Sequence, residues 1–295
     1  MNAPRLGIIA NTGKPAIAEV LPDFFRWLKE RKISFVVADE VARLVSLSGL
    51  SVSPPDQIAA QADFILSFGG DGTFLRTAHL IAPRETPIIG VNMGGFGYLA
   101  EVSIDQLRQR VEELLTGRYA LQDRMMLEAR VYEAAQTSSF LALNDVVLEK
   151  GGYPRLIRLE TSIDGEYLNT FHADGLIVST PTGSTGYSLS TGGPIVEPDV
   201  AAFIINPISP HMLANRPLVV DGGRRVGVIP VSPAGEYQIT VDGQRVMRPK
   251  SGTRVEIGAA KCKTRLVHFE AHSFRALLRN KLHWHDQFSA NEEGQ

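Results

Sequence analysis

The stretch FGGDGTFLR, residues 68–76, follows directly on the apolar run ADFILS, residues 62–67. Three glycines surround one carboxylate, that of Asp71, and Thr73 opens a segment with the pattern of a helix. The apolar run predicts a buried strand, so the glycines stand at its carboxyl end. Ligands of open parallel sheets bind outside the carboxyl ends of the strands. This stretch therefore predicts both the type of fold and the position of a site.

Strand and helix patterns alternate on both sides of this stretch, through the first 120 residues. The predicted strands are 5–10, 33–38, 63–68 and 87–92, and the predicted helices are 16–30, 73–81 and one that runs from Ser103, as N-cap, to about Thr116. The strands are continuously apolar rather than alternating in polarity. This pattern favours a parallel sheet that is covered by helices on both faces.

Strand-like segments follow one another without helices after Tyr119, as far as residue 258. The pairs Asp164-Gly165 and Asp242-Gly243 lie between such segments, which is a strong hairpin signal. This half therefore reads as antiparallel β, a sandwich or a barrel. We predict an α/β nucleotide-binding domain at 1–120, a β domain at 121–270, and a C-terminal part at 271–295. In that last part, a helix packs back on the first domain and a polar, disordered tail ends the chain.

The bulk composition narrows the classes of function. The chain has 295 residues, a formal net charge of −2 and a single cysteine, Cys262. An internal disulfide and a cysteine metal cluster within one chain are therefore excluded. The charge balance gives no sign of a nucleic-acid partner, and no apolar run approaches the ~18 residues of a membrane span. We expect a cytoplasmic protein with neither a nucleic-acid nor a membrane partner.

The glycine stretch has the features of a phosphate loop at Gly69, Gly70, Gly72 and Thr73. Glycines allow a ligand to approach the backbone closely, and a helix start offers free N–H groups to an anion. A carboxylate beside a phosphate is unfavourable unless a metal bridges the two or the carboxylate accepts a proton from an attacking hydroxyl. The alternative is a tight turn in which Asp71 only caps the helix.

Three further segments carry candidate binding residues. Residues 180–194, TPTGSTGYSLSTGGP, follow a strand and are rich in hydroxyls that could bind phosphate or ribose; a capped Gly/Ser loop is the alternative. Asn144 and Asp145 interrupt an apolar strand, and buried polar groups need partners, either another loop or the hydroxyls of a sugar. The glycine-rich loop 90–99 could line a nucleotide pocket with Asn92, Phe96 and Tyr98.

His172 and Asp174 lie two residues apart in FHADGLIVS, on one face of a regular strand. A lone histidine there is more often an ordinary surface or core residue than a ligand. None of the seven histidines forms a ligand-spaced pair with cysteine, and His283-x-His285 is a weak signal. We therefore predict no protein-built metal site.

Taken together, these motifs resemble those of the bacterial ATP-dependent NAD kinases, over nearly the whole chain. The shared motifs are Gly69-Gly70-Asp71-Gly72-Thr73, Asn144-Asp145, Thr182-Gly183-Ser184-Thr185, Gly192-Gly193-Pro194, Asn206-Pro207-Ile208-Ser209-Pro210-His211 and Asn215-Arg216-Pro217. The first motif alone is weak, since lipid kinases and phosphofructokinases carry relatives of it. All of them in this order are specific.

The resemblance implies an α/β domain followed by an antiparallel β-sandwich domain that binds NAD, the fold of NAD kinases and diacylglycerol kinases. It also implies transfer of the γ-phosphoryl of ATP to the 2′-hydroxyl of the adenosine ribose of NAD, giving NADP. The cofactor would be a divalent metal on the phosphates, Mg²⁺ in our expectation, although the sequence does not choose it over Mn²⁺. Homo-oligomers, dimers or tetramers, are usual in this family.

Residue by residue, the resemblance makes Asp71 the proton acceptor. The NAD-binding positions that it implies are Asp71, Gly72, Arg76, Asn144, Asp145, Arg155, His172, Asp174, Thr185, Gly186, Tyr187, Ser188, Leu189, Ser190 and Gln244. Gly186 and Thr191 stand where the family often has alanine, and Tyr98 where it often has phenylalanine. The family position of His172 varies among basic residues.

Three alternatives compete with this interpretation. A lipid kinase of the same superfamily would need an apolar acyl cleft or a membrane-facing surface, and would leave the Asn144-Asp145 and TGSTGYS motifs unexplained. A non-catalytic NAD(H) sensor would have no reason to keep Asp71 beside a phosphate loop. A Rossmann dehydrogenase would carry G-x-G-x-x-G after its first strand, where this chain has Ala10-Asn11-Thr12-Gly13-Lys14.

Overall fold

The computed structural model describes residues 4–94, 97–134, 136–151, 155–212, 214–231, 237–269 and 273–284. The chain divides into two compact units. The first consists of Met1–Gln122 and Arg265–Gln295, and the second of Asp123–Thr264. The sequence places the divisions near residues 120 and 270.

The secondary structure follows the predicted order, helices and strands first and then mainly strands. The helices are α1 (Pro15–Glu30), α2 (Asp39–Val45), α3 (Asp71–Ile81), α4 (Leu107–Leu115), α5 (Tyr187–Ser190) and α6 (Phe274–Lys281). The strands as far as residue 132 are β1 (Leu6–Ala10), β2 (Phe35–Ala38), β3 (Val52–Ser53), β4 (Phe64–Gly69), β5 (Ile88–Asn92), β6 (Val102–Ser103) and β7 (Ala120–Tyr132). The later strands are β8 (Thr137–Ala142), β9 (Asp145–Lys150), β10 (Ile157–Ile163), β11 (Glu166–Ala173), β12 (Gly175–Ser179), β13 (Ala202–Ile208), β14 (Leu218–Asp221), β15 (Arg225–Val231), β16 (Tyr237–Val241), β17 (Arg245–Met247) and β18 (Arg254–His268).

A parallel sheet forms the centre of the first unit. β5, β4, β1, β2 and β3 lie side by side in that order and pair in parallel. β1, β4 and β5 are buried along their whole length, as the unbroken apolar runs predict. Helix α1 buries one apolar face that includes Leu21, Phe24 and Leu28. The parallel arrangement brings the carboxyl ends of β1, β4 and β5 to one edge, where the candidate site lies.

Two predictions for the first unit need correction. Ser103 is not a helix cap: it ends the short strand β6, and α4 begins only at Leu107, after a turn in which the N–H of Gln106 donates to the carbonyl of Ser103. Gly117 does end the helical segment, with a positive φ of 74°. The C-terminal helix begins at Phe274 rather than at 271, and residues 271–272 and 285–295 lie outside the described residues.

Two antiparallel sheets form the second unit. One has the order β11-β10-β15-β18, with β7 beside β18 and β8 beside β7, and the other has the order β14-β13-β12-β9-β16-β17. Their inner faces bury one apolar core, to which both sheets contribute, among others Leu159 and Val228 from the first and Leu176 and Ile239 from the second. This arrangement confirms the predicted antiparallel β domain. The Asp164-Gly165 and Asp242-Gly243 hairpins are also confirmed, with positive φ at all four residues.

The segment FLALNDVVLE, residues 140–149, is two strands rather than one interrupted strand. β8 ends at Ala142 in one sheet, and β9 begins at Asp145 in the other. Leu143 and Asn144 join the two sheets, which explains why a polar pair follows an apolar run. The second division of the chain also falls earlier than 270, because β18 runs without a break from the second unit into the first, where Leu266 pairs with Ile88.

Candidate active site

Asp71 occupies the first position of α3, at the carboxyl end of β4. Its carboxylate accepts three backbone hydrogen bonds: Oδ2 from the N–H of Tyr98 at 2.7 Å, and Oδ1 from those of Leu99 at 2.9 Å and Ala100 at 3.3 Å. A carboxylate has about four lone-pair sites. Counting the bonds from described residues, one site on Oδ2 therefore remains for a substrate hydroxyl, and the group is held in a fixed orientation by the loop that follows β5.

Two glycines make this arrangement possible by leaving out a β-carbon. A β-carbon on Gly97 would lie 2.0 Å from Oδ1 of Asp71, and one on Gly69 would lie 2.1 Å from Oγ1 of Thr73. Sequence reasoning assigned the loop 90–99 to a pocket wall with Asn92, Phe96 and Tyr98. In the structure its backbone from residue 97 onward fixes Asp71, whereas Phe96 lies outside the described residues. Burial and the nearby Asp71 charge raise the pKa of Tyr98.

Gly70 and Gly72, in contrast, are not required by packing. A β-carbon added to either would meet no heavy atom within 4 Å outside its own local backbone. Neither residue has a positive φ that would demand glycine. Glycine also weakens a helix by up to about 1 kcal/mol relative to alanine, and Gly72 lies inside α3. Both positions thus have room for the close approach of a ligand to the backbone, which glycine permits.

In the second unit, Asp242 organises the Asn144-Asp145 pair. Its carboxylate accepts hydrogen bonds from the N–H groups of Leu143 at 2.8 Å, Asn144 at 2.8 Å and Asp145 at 3.0 Å. The N–H of Asp242 donates in turn to the carbonyl of Asp145 at 3.0 Å. The sequence marks Asp242 only as a hairpin residue, because nothing local shows that its side chain binds a segment about 100 residues earlier in the chain.

The carboxyl of Asp145 is buried beside this second acid. Burial, and then the negative charge of Asp242, raise the pKa of Asp145 to about 7. Asn144, Asp145 and Asp242 line a cavity of about 290 Å³ together with Val147, Glu149, Tyr187, Thr240 and Gly243. Oδ1 of Asn144 is buried and makes no hydrogen bond with a described residue. This cavity thus presents amide and carboxyl groups that could hold the hydroxyls and amino groups of a ligand.

Residues 180–194 form a compact loop that leads into α5. Thr182–Thr185 make a 3-10 turn and Tyr187–Ser190 a single helical turn. Several hydroxyls are used internally: Thr180 Oγ1 donates to the carbonyl of Leu143 at 2.6 Å, and Ser184 Oγ to that of Pro181 at 2.6 Å. A β-carbon on Gly183 would lie 2.1 Å from the carbonyl oxygen of Asn144, so glycine allows the loop to pack closely on the Asn144-Asp145 segment.

The predicted binding residues of this loop differ in exposure. Tyr187 is 43% exposed and Ser190 is exposed, whereas Ser188 is fully buried. The side-chain amide of Asn206 donates to the carbonyl of Ser188 at 3.0 Å and to Thr191 Oγ1 at 2.7 Å. Asn206, in the NPISPH motif, therefore anchors α5 from β13.

The remaining predicted residues lie at separate places within their units. In the first unit, Arg76 on α3 pairs with Glu40 at 2.9 Å. In the second unit, Asp174 pairs with Lys150 at 2.5 Å, and Arg155, His172 and Gln244 are exposed. Among the described residues, no three His, Cys, Asp or Glu side chains are grouped so that they could hold a metal ion. No helix in that part of the chain is long and apolar enough to cross a membrane.

Comparison with known proteins decides the family. Residues 6–119 match the profile of the ATP-NAD kinase N-terminal domain, and residues 143–269 match that of the ATP-NAD kinase C-terminal domain. The chain belongs to the NAD kinase family. Membership makes it an ATP-dependent phosphotransferase that acts on NAD, which confirms the NAD kinase activity that the motifs predict.

Relatives of similar length support this assignment. The NAD kinase of Moorella thermoacetica is 40% identical over 94% of this chain and 89% of its own length. The NAD kinase of Heliobacterium modesticaldum is 41% identical over 95% of this chain and 98% of its own length. Among solved structures, yeast NADH kinase complexed with NADH superposes with a TM-score of 0.89 and 25% identity, covering 96% of this chain and 89% of its own. An NAD kinase from Archaeoglobus fulgidus in complex with ATP superposes with a TM-score of 0.76 and 25% identity. The match covers 95% of this chain and 98% of that one.

Proposed function

We propose that this chain transfers the γ-phosphoryl group of ATP to the 2′-hydroxyl of the adenosine ribose of NAD, with Asp71 as the proton acceptor. The bond from the γ-phosphorus to the bridging oxygen breaks, and a bond from the γ-phosphorus to the ribose O2′ forms. ADP leaves, NADP is produced, and the proton of the hydroxyl goes to the carboxylate of Asp71. A ribose hydroxyl is a poor nucleophile near neutral pH, and a positioned base contributes typically about 10²- to 10⁴-fold.

The fixed carboxylate of Asp71 is the observation that carries this proposal. Three backbone N–H groups orient it, and the bonds from described residues leave one lone pair of Oδ2 available. Gly70 and Gly72 flank Asp71 in the chain, and an added β-carbon at either would meet no heavy atom within 4 Å, which leaves room for a phosphate to approach. A carboxylate that served only as a helix cap would accept N–H groups of α3, whereas the donors to Asp71 belong to the loop after β5. The arrangement thus supports a base next to a phosphate loop over the alternative of a simple capped turn.

We further propose that the predicted positions bind the two substrates. Gly69, Gly70, Gly72 and Thr73 would contact phosphate, and Asn144 and Asp145 the adenosine part of NAD. The other proposed NAD contacts are Arg76, Arg155, His172, Asp174, Thr185, Gly186, Tyr187, Ser188, Leu189, Ser190 and Gln244. The exposed ring of Tyr187 is suited to stack on a base, whereas the buried Ser188 would act through its backbone, since its side chain faces Asn206.

The divalent metal is proposed as a companion of ATP. The described residues include no group of three potential ligands. Mg²⁺ would instead be carried by the phosphate oxygens of the nucleotide, where it neutralises charge. We also propose a cytoplasmic homo-oligomer, a dimer or tetramer, as is usual in the family.

A product assay tests the proposed function. The purified protein is incubated with NAD, ATP and Mg²⁺, with an EDTA control, and NADP is detected by an NADP-specific dehydrogenase. NAD with a 2′-deoxyadenosine half should yield no phosphorylated product, while the 3′-deoxy analogue should be phosphorylated. Phosphorylation of the 2′-deoxy analogue would refute the proposed acceptor. Absence of NADP from a folded, NAD-binding protein would favour the sensor alternative.

A further inference from the structure

Lys14 lies at the same sheet edge as the glycine stretch. β1 and β5 flank β4 on either side and run parallel to it. Two backbone hydrogen bonds join the ends of the three strands: the N–H of Asn11 donates to the carbonyl of Phe68 at 2.9 Å, and that of Met93 to the carbonyl of Gly69 at 2.8 Å. The turn after β1 and the loop after β5 are therefore the two neighbours of the glycine stretch.

The side chain of Lys14 reaches from one of these neighbours toward the other. Lys14 ends the turn after β1, and its Nζ lies 3.5 Å from the carbonyl oxygen of Met93, just after β5. Neighbouring strands in a sheet are about 4.8 Å apart, so β1 and β5 are separated by the full width of β4. The amino group consequently lies across the carboxyl end of β4, where Gly69 and Gly70 begin the turn to α3.

The charge of Lys14 is not matched by a carboxylate in the described part of the first unit. Its one hydrogen bond there is long and goes to a neutral carbonyl, and it forms no ion pair with a described residue. An ammonium group has three donors, so two remain for another acceptor. The glycine stretch that begins where β4 ends includes Gly70 and Gly72, at which an added β-carbon would meet no heavy atom within 4 Å. A half-buried cation at the sheet edge that carries this stretch is suited to an anion.

We propose that Lys14 binds the triphosphate of the phosphoryl donor, as a further residue of the donor site formed by Gly70 and Gly72. This inference rests on the proposed function, and it assigns the donor rather than the acceptor to the turn after β1. The competing explanation is that Lys14 only ties that turn to Met93. Loss of a tether would weaken folding and would lower the affinity for both substrates alike. Loss of a phosphate-binding residue would lower the affinity for ATP alone.

Substitution of Lys14 separates these explanations. Lys14→Met retains the length of the side chain and removes its charge, and Lys14→Arg retains the charge. Lys29→Met is the matched control, since Lys29 stands near the other end of α1 and its Nζ likewise donates to a backbone carbonyl, that of Ser48 at 3.3 Å. The steady-state KM for ATP and for NAD, the Kd for ATP by calorimetry and the Tm are measured for all three variants and the wild type.

Loss of a charge-assisted contact corresponds to about 10- to 100-fold in affinity. Lys14→Met is expected to raise the KM and Kd for ATP by that factor, with the KM for NAD within about twofold of wild type. Lys14→Arg should recover most of the loss, and Lys29→Met should match wild type. An ATP affinity unchanged in Lys14→Met, or equal losses for ATP and NAD, would overturn the proposal. If Lys14→Met does not fold, Lys14→Gln replaces it, and an ATP affinity of that variant equal to wild type would overturn the proposal as well. Inactive wild-type protein would instead refute the proposed function.

Discussion

Asp242 binds both the backbone N–H and the carbonyl of Asp145, while its charge opposes ionisation of the Asp145 carboxyl. The carboxylate of Asp242 accepts the N–H of Asp145 at 3.0 Å, after those of Leu143 and Asn144. The same charge, added to burial, raises the pKa of Asp145 to about 7. One hairpin residue thus fixes the position of the proposed adenosine-binding pair and also influences its protonation.

Asp242→Asn should weaken NAD binding more than ATP binding. Asparagine offers one acceptor oxygen where three N–H groups converge, and a charge-assisted hydrogen bond contributes about 1.5–3 kcal/mol. We expect a KM for NAD at least about tenfold higher, a KM for ATP within about twofold and a lowered Tm. Asp164→Asn is the control, because Asp164 also heads an Asp-Gly hairpin and accepts a backbone N–H, that of Arg225, but at an exposed position. Equal effects of the two substitutions on the KM for NAD would contradict this role of Asp242.

Asp145→Asn should stabilise the protein at high pH. The raised pKa means that ionisation of Asp145 disfavours the folded state. This penalty is absent below the ordinary pKa of 3.8, grows as the pH rises toward about 7, and is complete above it. It corresponds to roughly 4 kcal/mol at most. Urea unfolding should therefore show a higher free energy of unfolding for Asp145→Asn than for the wild type at pH 8, and the difference should shrink as the pH approaches 4. The variant should also bind NAD more weakly. A gain independent of pH would show that Asp145 is not the titrating group.

Gly72→Ala should separate stability from activity. The added β-carbon enters open space within α3, and alanine favours a helix by up to about 1 kcal/mol relative to glycine. We expect an unchanged or higher Tm, with kcat/KM at least about tenfold lower because the methyl group blocks the approach of a phosphate. Thermal unfolding and the NADP assay measure the two effects.

Gly97→Ala is the contrasting variant, since its β-carbon would lie 2.0 Å from Oδ1 of Asp71. It should lose both stability and activity. Full activity in Gly72→Ala would remove the argument that these glycines exist for a ligand.

Much of the fold could be predicted from local pattern. Continuous apolar strands separated by helices indicate a parallel sheet, and Asp164-Gly165 and Asp242-Gly243 form the hairpins that such pairs predict. The failures concern information that is not local. The strand pattern of residues 140–149 contains no sign that the chain changes sheets at Leu143 and Asn144, and Ser103 has the chemistry of a cap but ends a strand.

The candidate site was also predictable only where local sequence pattern marks it. Asp71 stands out because glycines isolate it in the sequence. Gly97 and Asp242, however, act on segments about 26 and 98 residues away, and Lys14 acts across the intervening strand β4. The roles of these three residues follow from tertiary contacts. A glycine-rich or turn-forming sequence could suggest that such positions matter, but not which residues they contact.

The rate of phosphoryl transfer by Asp71→Asn tests the central claim most directly. Under single-turnover conditions with saturating ATP and NAD, loss of the proton acceptor should slow NADP formation by about 10²- to 10⁴-fold. Calorimetry should show that the variant still binds both substrates, so that the loss lies in the chemical step. A transfer rate near that of the wild type would contradict the assignment of Asp71 as the base.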